Sequence, residues 1–448
     1  SVSFCIALLL TMGISPTFNS LANKELDFSY LVDGYLIGGF LSLLIITSFT
    51  AGFYPALVLS SFQPVQVLYG RYKTKGRNLL TKGLIVVQFT LAMFLIIGTI
   101  AINSQLNFLF HANLGYDSQN LVRVEIPIRN TSESLPSLFK NELAGRPDIV
   151  SVAARNGGRS ISGVRADGKM IEIENVKIDD RFLSTFRIPI VSGRNFSPDH
   201  PSDSLHSVIV NETFVRAAGW KTEDAVGRTV QFMDEAKREA TVVGVIKDYH
   251  FLSLKEDIKP ELLSMNPSFN FGEIWIRIDG VDVPGTLSRI RSTFVKLVPL
   301  FPYSYEFMND INARNYESET KWRQIITIAS ALFMFISCIG LFGLVGLSVE
   351  HRTKEIGIRK ILGAAISTIV GLISKEFALL VGVAFVVATP AAWYAISRWL
   401  ELFAYRIDPG WWMFASGGIL VVAIALAVVC MQAIKAAVAS PVNSLKTE

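Results

Sequence analysis

The chain has 448 residues, 50% of them hydrophobic, with a mean hydropathy of +0.40 and a formal net charge of +4. That is too apolar for an ordinary soluble protein, whereas runs of about 20 apolar residues span a bilayer. The positive balance does not point to nucleic acid, because the basic residues gather in short loops beside apolar runs, where membrane topology places them.

The first run, SVSFCIALLLTMGI, has 14 residues and neither an initiator Met nor the basic flank of a signal peptide. It is too short to span and reads as the outer end of a helix whose beginning is missing. The chain is therefore expected to be a C-terminal fragment of a longer protein. Hydrophobic segments follow at about 32–59, 83–103, 324–349, 366–392 and 411–436. All contain glycine, which lets membrane helices approach closely; Gly340, Gly343 and Gly346 are candidates for such packing, or are simply flexible points. The loop 60–82 carries Arg71, Lys73, Lys75, Arg77 and Lys82 and no acid, so it is expected in the cytoplasm. The same stretch suits anionic membrane lipids, but a positive-inside linker accounts for it. The turn at 350–360 is also net basic and cytoplasmic. Counting crossings then puts residues 105–322 and the short loops 17–31 and 393–410 outside, and the C-terminus inside.

The outer insert reads as mixed α/β. LVRVEIPI (121–128), a helix at 134–145 and DIVSVAAR (148–155) make a strand–helix–strand unit. MIEIENVKI (170–178) alternates as a strand. SVIVNETFVRAAGW (207–220) is a short strand into a helix, with Asn211 as its cap. Further strands are expected around 229–249, and EIWIRI (273–278) is expected to be half-buried. A helix from DVPGTLSRIRSTFVKLV and a last strand in YSYEFM close the domain. From about Asn309 to Glu350 there is no strong breaker, so one long helix is expected to start outside and cross the bilayer; a hinge near Trp322 is the alternative.

Catalytic chemistry finds no foothold. Cys5, Cys338 and Cys430 each lie in an apolar run and read as buried free thiols. The histidines have no metal-ligand spacing, so neither a metal nor a cofactor is expected. The nearest match to a phosphate loop, GVRADGKM (163–170), ends in Met where a Mg²⁺-binding hydroxyl is needed, and reads as a surface turn. Lys375 and Glu376 suggest snorkelling or a local ion pair. Trp393, Trp399, Trp411 and Trp412 suggest interfacial anchors.

An internal repeat is visible. Pro16 corresponds to Pro390 and Pro64 to Pro441, each pair bracketing a helix end, a short outer loop, a long helix and a Pro-Val-x-x-Leu tail. The segment Glu350 to Ala364, EHRTKEIGIRKILGA, resembles the signature of FtsX-like permeases of the MacB type. SFQPVQVL, NLLTKGLIVVQFTLAMFLIIGT, VIVNETFVRAAGW, VGRTVQF, VVGVIKDYHFLSLKEDIKP and SPVNSLK extend the resemblance over essentially the whole chain. His351 departs from the Arg common at that place. The resemblance implies a multi-pass α-helical membrane protein with a large extracytoplasmic mixed α/β domain of MacB-like periplasmic-core type. In its terms, residues 1–59 are the end of a first FtsX-like membrane module and 60–82 a cytoplasmic basic linker. Residues 83–104 are the entry helix of a second module, 105–322 the extracytoplasmic domain, and 323–448 a membrane module with three transmembrane helices. This two-module form is similar to Bacteroidota-type permeases.

The segment 350–364 reads as an amphipathic helix at the membrane surface. Glu350, Arg352, Lys354, Glu355, Arg359 and Lys360 supply mixed charge, and Ile356, Ile358, Ile361 and Leu362 an apolar side; Gly357 and Gly363 complete the motif. With the resemblance it becomes a coupling helix that docks on an ATPase. The function implied is that of the permease subunit of an ABC-type transport or mechanotransmission complex in the inner membrane. It is no enzyme itself; a partner ABC-type ATPase, expected as a dimer, hydrolyses ATP while the outer domain moves to export or extract a peptide, drug or lipoprotein. The missing N-terminal half or a second permease chain, and a periplasmic adaptor or other envelope protein, are further expected partners. The alternative is a non-transporting regulator of a periplasmic partner such as a cell-wall hydrolase.

Overall fold

The computed structural model describes residues 2–22, 34–60, 77–126, 135–158, 160–233, 238–265 and 271–438. The expectations for Arg71, Lys73, Lys75, Pro64, Pro441 and both Pro-Val tails lie outside the described residues. The chain divides into a helical unit (1–106, 318–401 and 407–448) and an α/β unit (107–317 and 402–406).

In the helical unit, α1 (Val2–Ala22) and α2 (Gly34–Ser60) come first. The opening helix has 21 residues, not the 14 read from sequence, because it continues through Gly13 and Pro16. The next helix, α3 (Arg77–His111), starts inside the expected linker and overruns the expected end at 104. After the α/β unit come α9 (Glu317–His351), α10 (Thr353–Ile361), α11 (Ile366–Leu400) and α12 (Trp411–Val438). Among the described residues, four stretches are long and apolar enough to cross a membrane: Lys82–His111, Glu317–Glu350, Ile366–Leu400 and Trp411–Lys435. The described apolar stretch of α2 is Ile37–Phe49. Along α11 the buried positions Ile369, Ile373, Phe377, Val381, Ala384, Ala388, Ala392, Ile396 and Leu400 form one stripe at steps of three and four, the spacing of a single helix face. Gly418 of α12 lies so close to the Phe385 ring that a Cβ there would sit 2.4 Å from it, so only glycine permits that approach. Gly340 is likewise close, with Gln88 Oε1 2.9 Å from a built Cβ, whereas Gly343 and Gly346 face open space. Cys338 and Cys430 are free but half-buried, less enclosed than expected.

The α/β unit holds two sheets. β1 (Leu121–Glu125), α4 (Leu135–Leu143) and β2 (Ile149–Arg155) realise the expected strand–helix–strand unit, but β10 (Glu273–Ile278) is inserted between the two strands, antiparallel to both. With β11 (Tyr305–Phe307) the order is β11-β1-β10-β2. Helices α4 and α7 (Val283–Leu297) cover one face, with Phe139 and Phe294 ring centroids 6.2 Å apart. The short helix α5 (Phe182–Phe186) lies against the other, where Phe186 meets Trp275 edge-on at 5.1 Å. This two-sided cover corrects the half-buried reading of 273–278: all six residues are buried. The charges that suggested a wet face are paired inside. Arg277 donates to the Thr185, Gln119 and Asp117 carbonyls, and Glu273 receives Arg123 and the indole N–H of Trp275.

The second sheet contains β3 (Ile161–Ala166), β4 (Lys169–Lys177), β5 (Ile190–Gly193), β6 (Ser207–Asn211), β7 (Thr229–Phe232), β8 (Glu239–Ile246) and β9 (Glu261–Ser264). Its order β5-β8-β6-β9-β4-β3-β7, with β7 also pairing β8, closes six strands into a ring and leaves β5 as an outer flap. A ring has no edge on which another chain could pair. Strands β3, β5 and β9 were not read from sequence. The surface turn read at 163–170 is the β3–β4 hairpin, whose turn residues Asp167 and Gly168 both have positive φ, as a tight two-residue turn demands. At the base of the unit α8 (Met308–Arg314) stops before α9 begins. The break therefore falls at Asn315–Tyr316, neither absent nor at Trp322. Tyr316 is buried, its ring edge-on to Phe110, and its hydroxyl accepts the Leu254 N–H; anchoring that side chain inside the unit interrupts the helix.

Candidate functional site

The inner ends of the membrane helices carry the residues singled out by the sequence. α9 ends at His351, Arg352 forms the corner, and α10 begins one residue later. The Arg352 carbonyl accepts the Ile356 N–H at 2.9 Å, which starts the new helix. At the far end Gly363 takes φ +84 and its N–H returns to the Lys360 carbonyl at 3.1 Å, the left-handed stop that glycine allows. α10 is thus a separate short helix framed by two corners.

Its apolar residues do not share one side. Ile356 is 8% exposed and packs into the same cluster as Ile369 and Ile373 of α11. Ile358, Ile361 and Leu362 are 54%, 64% and 80% exposed. At ~100° per residue, positions 356 and 358 point to nearly opposite sides, whereas 358, 361 and 362 fall together. The expected apolar side therefore consists of three residues, and Ile356 is the root that holds the helix. Gly357 is buried beside it, while Glu350 and Glu355 are exposed. Glu355 pairs with Arg359 at 2.8 Å, one turn on. The side chain of Lys354 lies outside the described set.

One acid near this corner was read from the sequence, together with Lys375, as snorkelling or a local ion pair. Glu376, inside the apolar α11, receives Lys82 of α3 on Oε1 at 2.5 Å and Arg352 on Oε2 at 2.8 Å. Glu376 is thus ion-paired, with Lys82 and Arg352 as the partners. The signal was present as a lone acid in an apolar run, but its partners are remote in sequence and only the packed helices bring them together.

Among its described residues the α/β unit shows no reactive constellation. Among the described residues no group of three or more His, Cys, Asp or Glu could hold a metal ion. Its buried ionisable groups serve the fold. Asp179 accepts the Ala154 N–H at 2.7 Å and pairs with Lys140. Burial alone would raise the Asp203 carboxyl, but hydrogen bonds from Arg194, Ser207 and the Ser197 N–H outweigh it and hold the group at about 2. Burial pushes the Glu261 carboxyl up to about 7, opposed by the Tyr249 hydroxyl, which donates to it at 2.7 Å.

Residues 84–293 match the family model for the MacB-like periplasmic core domain, and residues 327–441 match that for the FtsX-like permease C-terminal region. A curated relative, the macrolide export ATP-binding/permease protein MacB of Aggregatibacter actinomycetemcomitans, is 25% identical over 198 residues. That match covers 42% of this chain and 30% of the relative, so the chain spans under a third of the relative's length. Among solved structures, the periplasmic region of MacB from Actinobacillus actinomycetemcomitans aligns at 18% identity and a TM-score of 0.35, covering 46% of this chain and 96% of that one. A domain of a permease protein from Porphyromonas gingivalis aligns at 15% identity and a TM-score of 0.32, covering 44% and 97%. The extracellular domain of the ABC-type transporter YknZ from Gram-positive bacteria aligns at 14% identity and a TM-score of 0.29, covering 43% and 95%.

Proposed function

We propose that this chain, a multi-pass inner-membrane permease of the MacB/FtsX-like family with a periplasmic α/β domain, couples ATP hydrolysis by a partner ABC-type ATPase to movement of that domain. The observation that carries the proposal is the exposed trio Ile358, Ile361 and Leu362 on a short helix at the inner end of α9. α9 is unbroken for 35 residues from Glu317, the last residue of the first stretch of the α/β unit. At 1.5 Å per residue it is roughly 52 Å long, against about 30 Å of hydrocarbon. A helix of that length transmits displacement from one membrane face to the other. Three apolar side chains ringed by charges form a small docking patch, with the apolar groups supplying affinity and the charges orientation.

The chemistry stays with the partner, since no complete phosphate loop occurs in this sequence. The α1–α2 pair is read as the repeat counterpart of α11–α12: Pro16 and Pro390 each lie inside the earlier helix, and the later helices have 27 and 28 residues. Export or extraction of a substrate, with an envelope partner, is the activity this assembly serves.

Docking is tested by copurifying the ATPase with Ile358→Asp in nanodiscs. A carboxylate in a desolvated apolar contact is strongly unfavourable, so binding is expected to fall by at least tenfold while the inserted permease keeps its fold. Unchanged copurification and unchanged ATP turnover would refute the coupling role of this surface.

A further inference from the structure

The hold on α10 is narrow. Among the described side chains of that helix, Ile356 is the one hydrophobic group in the bundle core, and Ile358 and Ile361 turn outward. Something else must set the angle at which the patch is presented. Glu376 stands three residues after buried Ile373 and one before buried Phe377 of the α11 stripe. Each of its oxygens is taken by a different cation: Oε1 by Lys82, near the start of α3, and Oε2 by Arg352, at the corner between α9 and α10. The three side chains are 30–38% exposed, partly withdrawn from solvent.

We propose that Glu376 is the positioning residue of the coupling helix, a single carboxylate that clamps the α9–α10 corner to both α3 and α11. The inference deepens, and rests on, the reading of α10 as a docking element. Its physical basis is the sharing. With the carboxylate present, the two cations converge on one negative charge. Without it, two like charges face the same spot, so attraction is replaced by repulsion at a corner whose described hydrophobic anchors in the bundle core are Ile356 of α10 and Val345 and Val349 of α9. Because Arg352 is the corner itself, displacement of the end of α9 is passed through this carboxylate to α3 and α11, and the inner ends move together. A merely topogenic turn has no use for such a tie.

The test is hydrogen exchange of the native permease in nanodiscs, without ATPase, followed at residues 353–361. Glu376→Gln is expected to speed exchange there on the order of tenfold, since two partly screened ion pairs are lost at once. The peptide 273–278 in the α/β unit should keep its parent rate. Arg352→Gln combined with Glu376→Gln should exceed the larger single effect by no more than about twofold, because interacting groups are not additive. Parent-like exchange in Glu376→Gln, or full additivity of the pair, would overturn the clamp. Should Glu376→Gln fail to insert, Lys82→Gln and Arg352→Gln each bare one carboxylate oxygen; acceleration at 353–361 in both supports the clamp, and parent rates in both refute it. Docking of the ATPase is read separately with Ile358→Asp, so the clamp and the coupling role can fail independently.

Discussion

Replacing Asn211 by alanine is expected to be among the most damaging single changes in the periplasmic domain. Asn211 ends β6, caps α6 (Glu212–Ala218) and is fully buried. Its Oδ1 accepts the Phe214 N–H at 2.8 Å and the Glu261 N–H at 2.9 Å, and its Nδ2 donates to the Lys259 carbonyl at 2.9 Å. Loss of the cap costs ~1 kcal/mol. The Glu261 N–H lies in a buried strand where water cannot replace the lost acceptor, which adds ~2 kcal/mol. Lys259 is exposed and its carbonyl can turn to water, so it contributes little. The sum is about 3 kcal/mol, and at a urea dependence of about 3 kcal/mol per molar the midpoint should fall by roughly 1 M. Pulse proteolysis of the permease in nanodiscs against urea reads that midpoint for the α/β domain. Asn211→Ser keeps a capping oxygen too short to reach β9, and should recover only the cap's share. A midpoint for Asn211→Ala within about 0.3 M of the parent, or full recovery by serine, would show that the side chain does not join the two strands.

Two further outcomes follow from the burial and exposure of single side chains. Glu261 is protonated more readily in the folded domain, at about 7, than when unfolded; its contribution to stability is fully present below the unfolded value near 4.5 and is lost as pH rises through 7. Glu261→Gln should therefore gain stability over the parent as pH goes from 5 to 8, by up to ~3 kcal/mol, and a difference that does not change with pH would refute the assignment. For topology, a cysteine replacing Val281, which is 86% exposed, should react with impermeant reagents from the periplasm, and one replacing Leu362, 80% exposed, only from the cytoplasm. Asp179 would be a poor probe, since it is 6% exposed and paired with Lys140; labelling of Val281→Cys from the cytoplasm alone would contradict the orientation.

What sequence could convey depended on whether a feature is local. The Asn211 cap was legible because the residue type and the following helix are adjacent; its bonds to Lys259 and to Glu261 of β9 were not, being 48 and 50 residues away. The strand 273–278 was legible as a strand, but the depth of its burial depends on α4 and α5, which no window around it contains. β9 has four residues, all buried, without alternation to mark it. At the proposed docking surface the motif and its charges could be read directly. The outward trio could have been separated from Ile356 by the helical angle alone, but the pairing of Lys82 and Arg352 across Glu376 could not. Separations of 294 and 24 residues leave no trace in a local pattern.

The closed ring has a consequence for how the domain is made. β9, at 261–264, is the last of the ring's strands in sequence, yet it pairs with β6 on one side and β4 on the other. The wall therefore stays open until the chain beyond Ser264 has emerged from the membrane on the far side. Until then β4 and β6 present bare edges to the envelope, the kind of surface that invites mispairing. Secretion of this domain must outrun that interval or be attended by a holding factor. Slowing translocation between residues 211 and 261 is the manipulation that should expose the ring strands to envelope proteases, while slowing after 264 should spare the ring and leave only the first sheet waiting for β10.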